Sequence, residues 1–81
     1  MIEENEFIEI CRNVMDEKFQ NISITHHSRF IEDMAFDSLT MVALIVELEA
    51  FFSSPLIHLA EDIVEIETVK QAVDFFNTKV F

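Results

Sequence analysis

Ser38 and three histidines, His26, His27 and His58, are the side chains with which this chain could perform nucleophilic chemistry. A serine nucleophile needs a base at its hydroxyl and a further group that orients the base. The histidines stand at no signature spacing from Ser38, and the chain contains no glycine. That removes the nucleophile elbow, the phosphate-cradling loops, the dinucleotide fingerprint and the EF-hand loop, all of which use glycine backbone geometry. Adjacent His26 and His27 with a distant His58 do not make a metal-ligand pattern. No Asp-x-Asp-x-Asp-Gly calcium loop occurs. The expectation is therefore a protein that is not an enzyme, with no catalytic and no metal-ligating residues. Cys11 lies among apolar residues at helical spacing and reads as a buried, inert thiol.

A second chemistry is open to Ser38. A hydroxyl at a helix N-terminus can carry a phosphate ester, because free backbone N–H groups and the positive dipole end favour the added anion. The plainer reading is a helix cap beside Asp37. Both readings place Ser38 at the start of the helix that organises the chain, from about 37 to 52.

That helix is apolar on more than one side. Met41, Leu44, Ile45, Leu48 and Phe52 repeat at three and four and form a buried stripe. Leu39, Val42 and Val46 repeat in the same way on another side. A domain this small cannot bury a helix all round, so the second stripe is expected to face a partner. Before it, residues 3 to 19 read as a first helix, with Phe7, Ile8, Cys11, Val14, Met15 and Phe19 inward. Glu3, Glu4 and Glu6 suit the first turn, and Lys18 suits the end.

Residues 20 to 36 read as a long loop anchored by Ile22 and Ile24, with Phe30, Ile31 and Met34 pinning its second half to the core. Loops of this length are commonly functional. Pro55 is expected to end the central helix. A short helical turn follows at 59 to 64, with Leu59, Ile63 and Ile66 inward. Thr68 with Gln71 is a capping-box signature. It opens a last helix whose inward stripe is Val69, Ala72, Val73, Phe76 and Val80. The chain thus predicts an all-α single domain over 1–81, a small bundle of three main helices plus one short helix.

The 81 residues carry a net charge of −11 with only five Lys and Arg, and 51% of them are hydrophobic, nine of them Phe. The charge argues against nucleic acid, where cations must replace counterions, and against anionic membrane surfaces. It favours partners with basic docking faces, or it simply keeps an apolar protein dissolved. No apolar run approaches the roughly 18 residues of a membrane span. One cysteine permits no internal disulfide, and the acidic start lacks a basic signal-peptide region. A cytoplasmic protein is expected.

Phe30-Ile31-Glu32-Asp33-Met34-Ala35-Phe36-Asp37-Ser38-Leu39 resembles the approach to the Asp-Ser-Leu attachment motif of the acyl carrier protein family, the phosphopantetheine-attachment or thiolation domains. The apolar helix ending Glu47-Leu48-Glu49-Ala50-Phe51-Phe52 is similar to the family's second helix. Thr68-Val69-Lys70-Gln71-Ala72-Val73-Asp74-Phe75-Phe76 resembles its last. The resemblance implies an acyl-carrier-protein-like bundle in which Ser38 receives 4'-phosphopantetheine from coenzyme A. The thiol of that arm would carry acyl or aminoacyl groups as thioesters. It implies a phosphopantetheinyl transferase, with Mg2+, as one partner, and loading and condensing enzymes as others. Asp37 would assist transferase docking. Leu39, Val42 and Val46 would give apolar partner contacts, and Glu47 and Glu49 acidic ones. Family members also hold acyl chains between their helices.

Three features depart from the family pattern. Ala35 replaces a usual glycine two residues before the motif's Asp, which the loop tolerates if that position needs no positive φ. Thr40 and Ala43 stand where fatty-acid carriers usually have acids, which favours a specialised pathway such as polyketide or peptide synthesis. The segment Ser53 to Ile66 differs from the family's third-helix region. The alternative expectation is a carrier-like helical interaction module that no longer bears the arm.

Overall fold

The computed structural model describes residues 1–80. It contains four helices: α1 (Glu4–Val14), α2 (Ser38–Phe52), α3 (Ala60–Ile63) and α4 (Val69–Lys79). No strand occurs among the described residues. The expected three main helices and one short one are present, and the molecule measures 32 × 21 × 21 Å. No helix is long and apolar enough to cross a membrane among the described residues.

α1 begins with a reciprocal cap: the Glu3 side chain accepts from the backbone of Glu6, and the Glu3 N–H donates to Glu6 Oε1 at 2.9 Å. The helix does not run to residue 19. It stops at Val14 because Met15 turns to extended angles and buries its side chain. Asp16 then caps a separate 3₁₀ turn, Glu17–Phe19, by accepting from the Lys18 N–H. The freed helix end is satisfied by Gln20, whose amide donates to the carbonyls of Arg12 and Met15. Arg12 in turn donates to the carbonyls of Gln20 and Ile22. Orphan helix carbonyls are thus paired by the loop that follows.

The connection from 20 to 36 is a loop laced to the start of α4. Phe30 N–H donates to Glu67 O, Val69 N–H to Ser28 O, and Lys70 N–H to His26 O, at 2.9–3.0 Å. Arg29 and Thr68 form a lone antiparallel bridge. Ile22 and Ile24 anchor the loop against the core, as the sequence predicts. Phe30 and Met34 are buried, but Ile31 is not: it is 75% exposed. The Phe36 N–H donates to Phe30 O at 2.8 Å and closes a tight turn. Phe30 and Phe36 take its inner side, with ring centroids 5.4 Å apart, and Ile31 is left outside.

α2 ends before the proline. Ser53 takes left-handed angles (φ 53°, ψ 43°), and the N–H groups of Ser53 and Ser54 both donate to Glu49 O. Pro55 lies beyond this cap, a common place for proline after a left-handed stop. A 3₁₀ turn, Ile57–Leu59, leads into α3, whose Ile63 is buried. α4 opens with the expected box: Gln71 N–H donates to Thr68 Oγ1 and Thr68 N–H to Gln71 Oε1, each at 3.2 Å.

The core lies where α1 meets α2 and α4. Phe7 sits 6.1 Å from Phe30 and 6.3 Å from Phe76, and Phe52 sits 6.3 Å from Phe76, centroid to centroid. Each fully buried Phe contributes roughly 1.5–3 kcal/mol through removal of apolar surface from water. Asn77 on α4 holds the N-terminal segment by accepting from Ile2 N–H at 2.8 Å and donating to Ile2 O at 3.0 Å.

Candidate functional site

Ser38 is the first residue of α2 and is exposed. It does not cap the helix. Asp37 does, accepting from the Thr40 N–H and the Thr40 hydroxyl, both at 2.8 Å to Oδ1. Both bonds favour the ionised carboxylate, so the Asp37 pKa is held below the usual carboxylate value. Thr40 thereby has a local structural use, as the partner of the Asp37 carboxylate. The plain reading of Ser38 as a cap is corrected: the neighbouring Asp37 takes that task.

The turn leading into Asp37 is set by alternating burial. Met34 and Phe36 are inside, and Ala35 between them is exposed at φ 58°. The position therefore does require a positive φ, contrary to the condition under which alanine would be harmless. A Cβ there costs on the order of 1 kcal/mol relative to glycine. The buried neighbours on both sides hold the strained residue in place.

Two faces of α2 diverge as the spacing predicts. Leu44, Ile45 and Leu48 are buried, while Met41 and Phe52 are half-buried. Leu39, Val42 and Val46 are 79%, 55% and 56% exposed. Between the faces lies an open cleft of about 360 Å³. Ser38 and Asp37 stand at its edge, and Met41, Val42 and Ile45 line it from α2. Ile57, Ile63 and Val64 line it from the α3 side, and Phe30, Ile31 and Phe36 from the preceding loop. Apart from Asp37 and Ser38 every lining residue is apolar, and the volume falls in the range of small-molecule sites.

The interior itself is nearly full. The void among Phe7, Leu44, Leu48, Ala72 and Phe76 measures only about 10 Å³. Space for an apolar ligand therefore lies in the cleft, and not between α1, α2 and α4.

The two expected acidic contacts separate. Glu47 is exposed. Glu49 is half-buried, and its Oε2 accepts from the Leu56 N–H at 2.7 Å. Glu49 is thus tied to the chain's own backbone and fastens the segment after α2. None of the three histidines lines the cleft at Ser38. His26 Nδ1 lies 3.6 Å from Glu4 Oε1, its ring lies against His27, and His58 sits exposed in the 3₁₀ turn. No group of three His, Cys, Asp or Glu side chains converges among the described residues. Cys11 is fully buried, and burial pushes its thiol pKa up to about 12.

Ile31, Ile57 and Val64 are cleft residues that sequence reading did not assign to the site. The available signal was the excess of apolar residues between 57 and 66. Ile57, Leu59, Ile63, Val64 and Ile66 are too many for the inner face of a single helical turn. No family model matches the chain.

Proposed function

We propose that the protein is an acyl carrier that bears 4'-phosphopantetheine on Ser38. One observation carries this reading: an exposed serine begins the central helix, freed from capping by Asp37, at the edge of an apolar cleft of about 360 Å³. When bound, the group supplies a terminal thiol that holds cargo as a thioester. The chain's own residues do the rest. The turn from Phe30 to Phe36 fixes the helix start through the Phe36-to-Phe30 hydrogen bond and the buried Met34. Asp37 keeps the first turn of α2 intact, and the cleft shields an apolar chain from water. The positive φ at Ala35 supports the reading too, because it lies where the resembled family places glycine.

The cleft bears on the cargo. Its lining offers no side chain that would pair with an ammonium or a hydroxyl apart from Asp37 and Ser38 at the edge. Burying an unpaired polar group is unfavourable by several kcal/mol, so acyl cargo suits the cleft better than aminoacyl cargo. The partners are a phosphopantetheinyl transferase and the enzymes that load and condense the cargo. Incubation with coenzyme A, Mg2+ and a broad-specificity transferase is expected to add one arm to the wild-type chain and none to Ser38→Ala. A wild-type chain left unmodified under conditions that load a control carrier would remove the proposal. A helical interaction module without the arm is the second reading, favoured by the exposure of Leu39, Val42 and Val46, which holds whether or not Ser38 is modified.

A further inference from the structure

A second cavity, of about 150 Å³, lies on the other side of Asp37, where the segment after α1 meets the start of α2. Phe36 and Asp37 line both this cavity and the apolar cleft, so they form the partition between the two. The two spaces differ in chemistry. Asp16, Lys18, Asp37 and Thr40 bring polar groups to the second cavity, and Met15, Phe19 and Met34 add apolar lining. The cleft has only Asp37 and Ser38 at its edge.

Local structure fixes what these groups still offer. Asp16 accepts from the Lys18 N–H at 3.2 Å, and Asp37 accepts from the Thr40 N–H and hydroxyl. A carboxylate has about four acceptor sites, so both keep capacity for a ligand. The Lys18 ammonium stands 5.2 Å from the centre of the Phe19 ring and pairs with no carboxylate among the described residues. Arg12, Arg29 and Lys70 are all engaged elsewhere. Lys18 is thus a free donor at the wall of a cavity that also holds two acceptors.

These walls exclude three ligand classes. An apolar chain would cover polar groups without pairing them, which is unfavourable. An anion would meet two carboxylates, and a cation would meet the ammonium. A secondary amide offers an N–H to a carboxylate and a C=O to an ammonium within one small group. A cavity of this volume takes about six heavy atoms, the size of benzene. We infer that this cavity binds an amide of the pantetheine arm, with Asp16 and Asp37 as acceptors and Lys18 as donor. The inference rests on the carrier reading for the tether: Ser38 follows Asp37, with its Cα about 3.8 Å further on. The near part of the arm then lies on the α1 side of the partition, and the cleft is left clear for cargo.

The test compares amide shifts of the ¹⁵N-labelled chain before and after a transferase adds the arm. Shifts are expected at residues 15 to 19 and at 40, with NOEs from an arm amide proton to Lys18 and Phe19. The unmodified chain, titrated with free pantetheine, is expected to shift the same residues. So is Ser38→Ala, which cannot carry the arm. Lys18→Met keeps the aliphatic stem and removes the donor. Lys18 is exposed, so this variant is expected to keep its melting temperature. Its binding of free pantetheine is expected to weaken about tenfold, as when a hydrogen bond to a charged group is lost. Lys18→Arg is expected to retain binding.

Arm shifts confined to residues 57 to 66, or undiminished pantetheine binding by Lys18→Met, would each overturn the inference. So would the same shifts with Mg2+ alone or with inorganic phosphate alone. Modification of Ser38 is measured by intact mass on the same samples. Free pantetheine bound at 15 to 19 by a chain that the transferase leaves bare removes the carrier reading and keeps the cavity. A modified chain with no shift at 15 to 19 does the reverse.

Discussion

The two sides of α2 are built from the same residue types and meet opposite fates. On one side Leu44 and Leu48 join Phe7, Ala72 and Phe76 around a void of about 10 Å³. On the other, Val42 faces Ile57 and Val64 across a cleft of about 360 Å³. Hydrophobicity is therefore no guide to which side is filled; what packs opposite decides. α1 and α4 are each about three turns long, and they seal the inner side. α3 is a single turn, and it leaves the outer side open.

The contrast can be broken first on the filled side. Phe76→Ala removes a ring that three other phenylalanines touch. It is expected to cost about 3–5 kcal/mol in urea unfolding. A loss below about 1 kcal/mol would mean that the core is as loose as the cleft. Thr68→Ala deletes one half of the α4 capping box and is expected to cost about 1 kcal/mol.

Ala35→Gly sharpens the comparison from the other direction, by relieving the turn that leads to Ser38. The relief is of order 1 kcal/mol, and glycine's greater freedom in the unfolded chain offsets part of it. The expected outcome is a small net gain of a few tenths of a kcal/mol in thermal or urea unfolding, where the same exchange of alanine for glycine at an ordinary helical φ would show a loss. Val64→Ser, on the open side, is expected to change stability by less than about 0.5 kcal/mol. A larger loss would place Val64 with the core.

Asp37 supplies a pH test at the junction of the two sides. Its folded pKa is lowered, so its stabilising contribution is present above the ordinary carboxylate pKa of about 4. It is lost as pH falls through the lowered folded value. Asp37→Asn keeps a capping oxygen and removes the titration. Its unfolding midpoint is expected to fall less steeply between pH 5 and 2 than that of the wild type, in the approximate range where the linked proton is taken up.

Much of this was legible from spacing. The stripes of α2 and α4 and the Thr68–Gln71 box depend on local periodicity and on side chains within one turn, which the sequence states directly. The Glu3–Glu6 cap of α1 is equally local, yet the three glutamates suggested only a first turn suited to the helix dipole. What was not legible depends on contacts between distant segments. The early end of α1 is made by Gln20 and Arg12 acting across eight residues. The exposure of Ile31 follows from the Phe30–Phe36 closure, in which only one side of a tight turn can face inward. Glu49 looked like free acidic surface because its partner, the Leu56 N–H, lies past the helix end. The cleft left only a faint mark, the surplus of apolar residues from 57 to 66, because it is a gap between α2 and α3 and a sequence lists residues but no gaps.

The account turns on Ser38 being the point at which this chain is modified. Tandem mass spectrometry of the protein purified from its own host tests that directly. The account predicts 4'-phosphopantetheine on the peptide containing Ser38, with an acyl thioester on a fraction of the chains. A bare Ser38 in protein that is active in the host, with activity unchanged in Ser38→Ala, would contradict it.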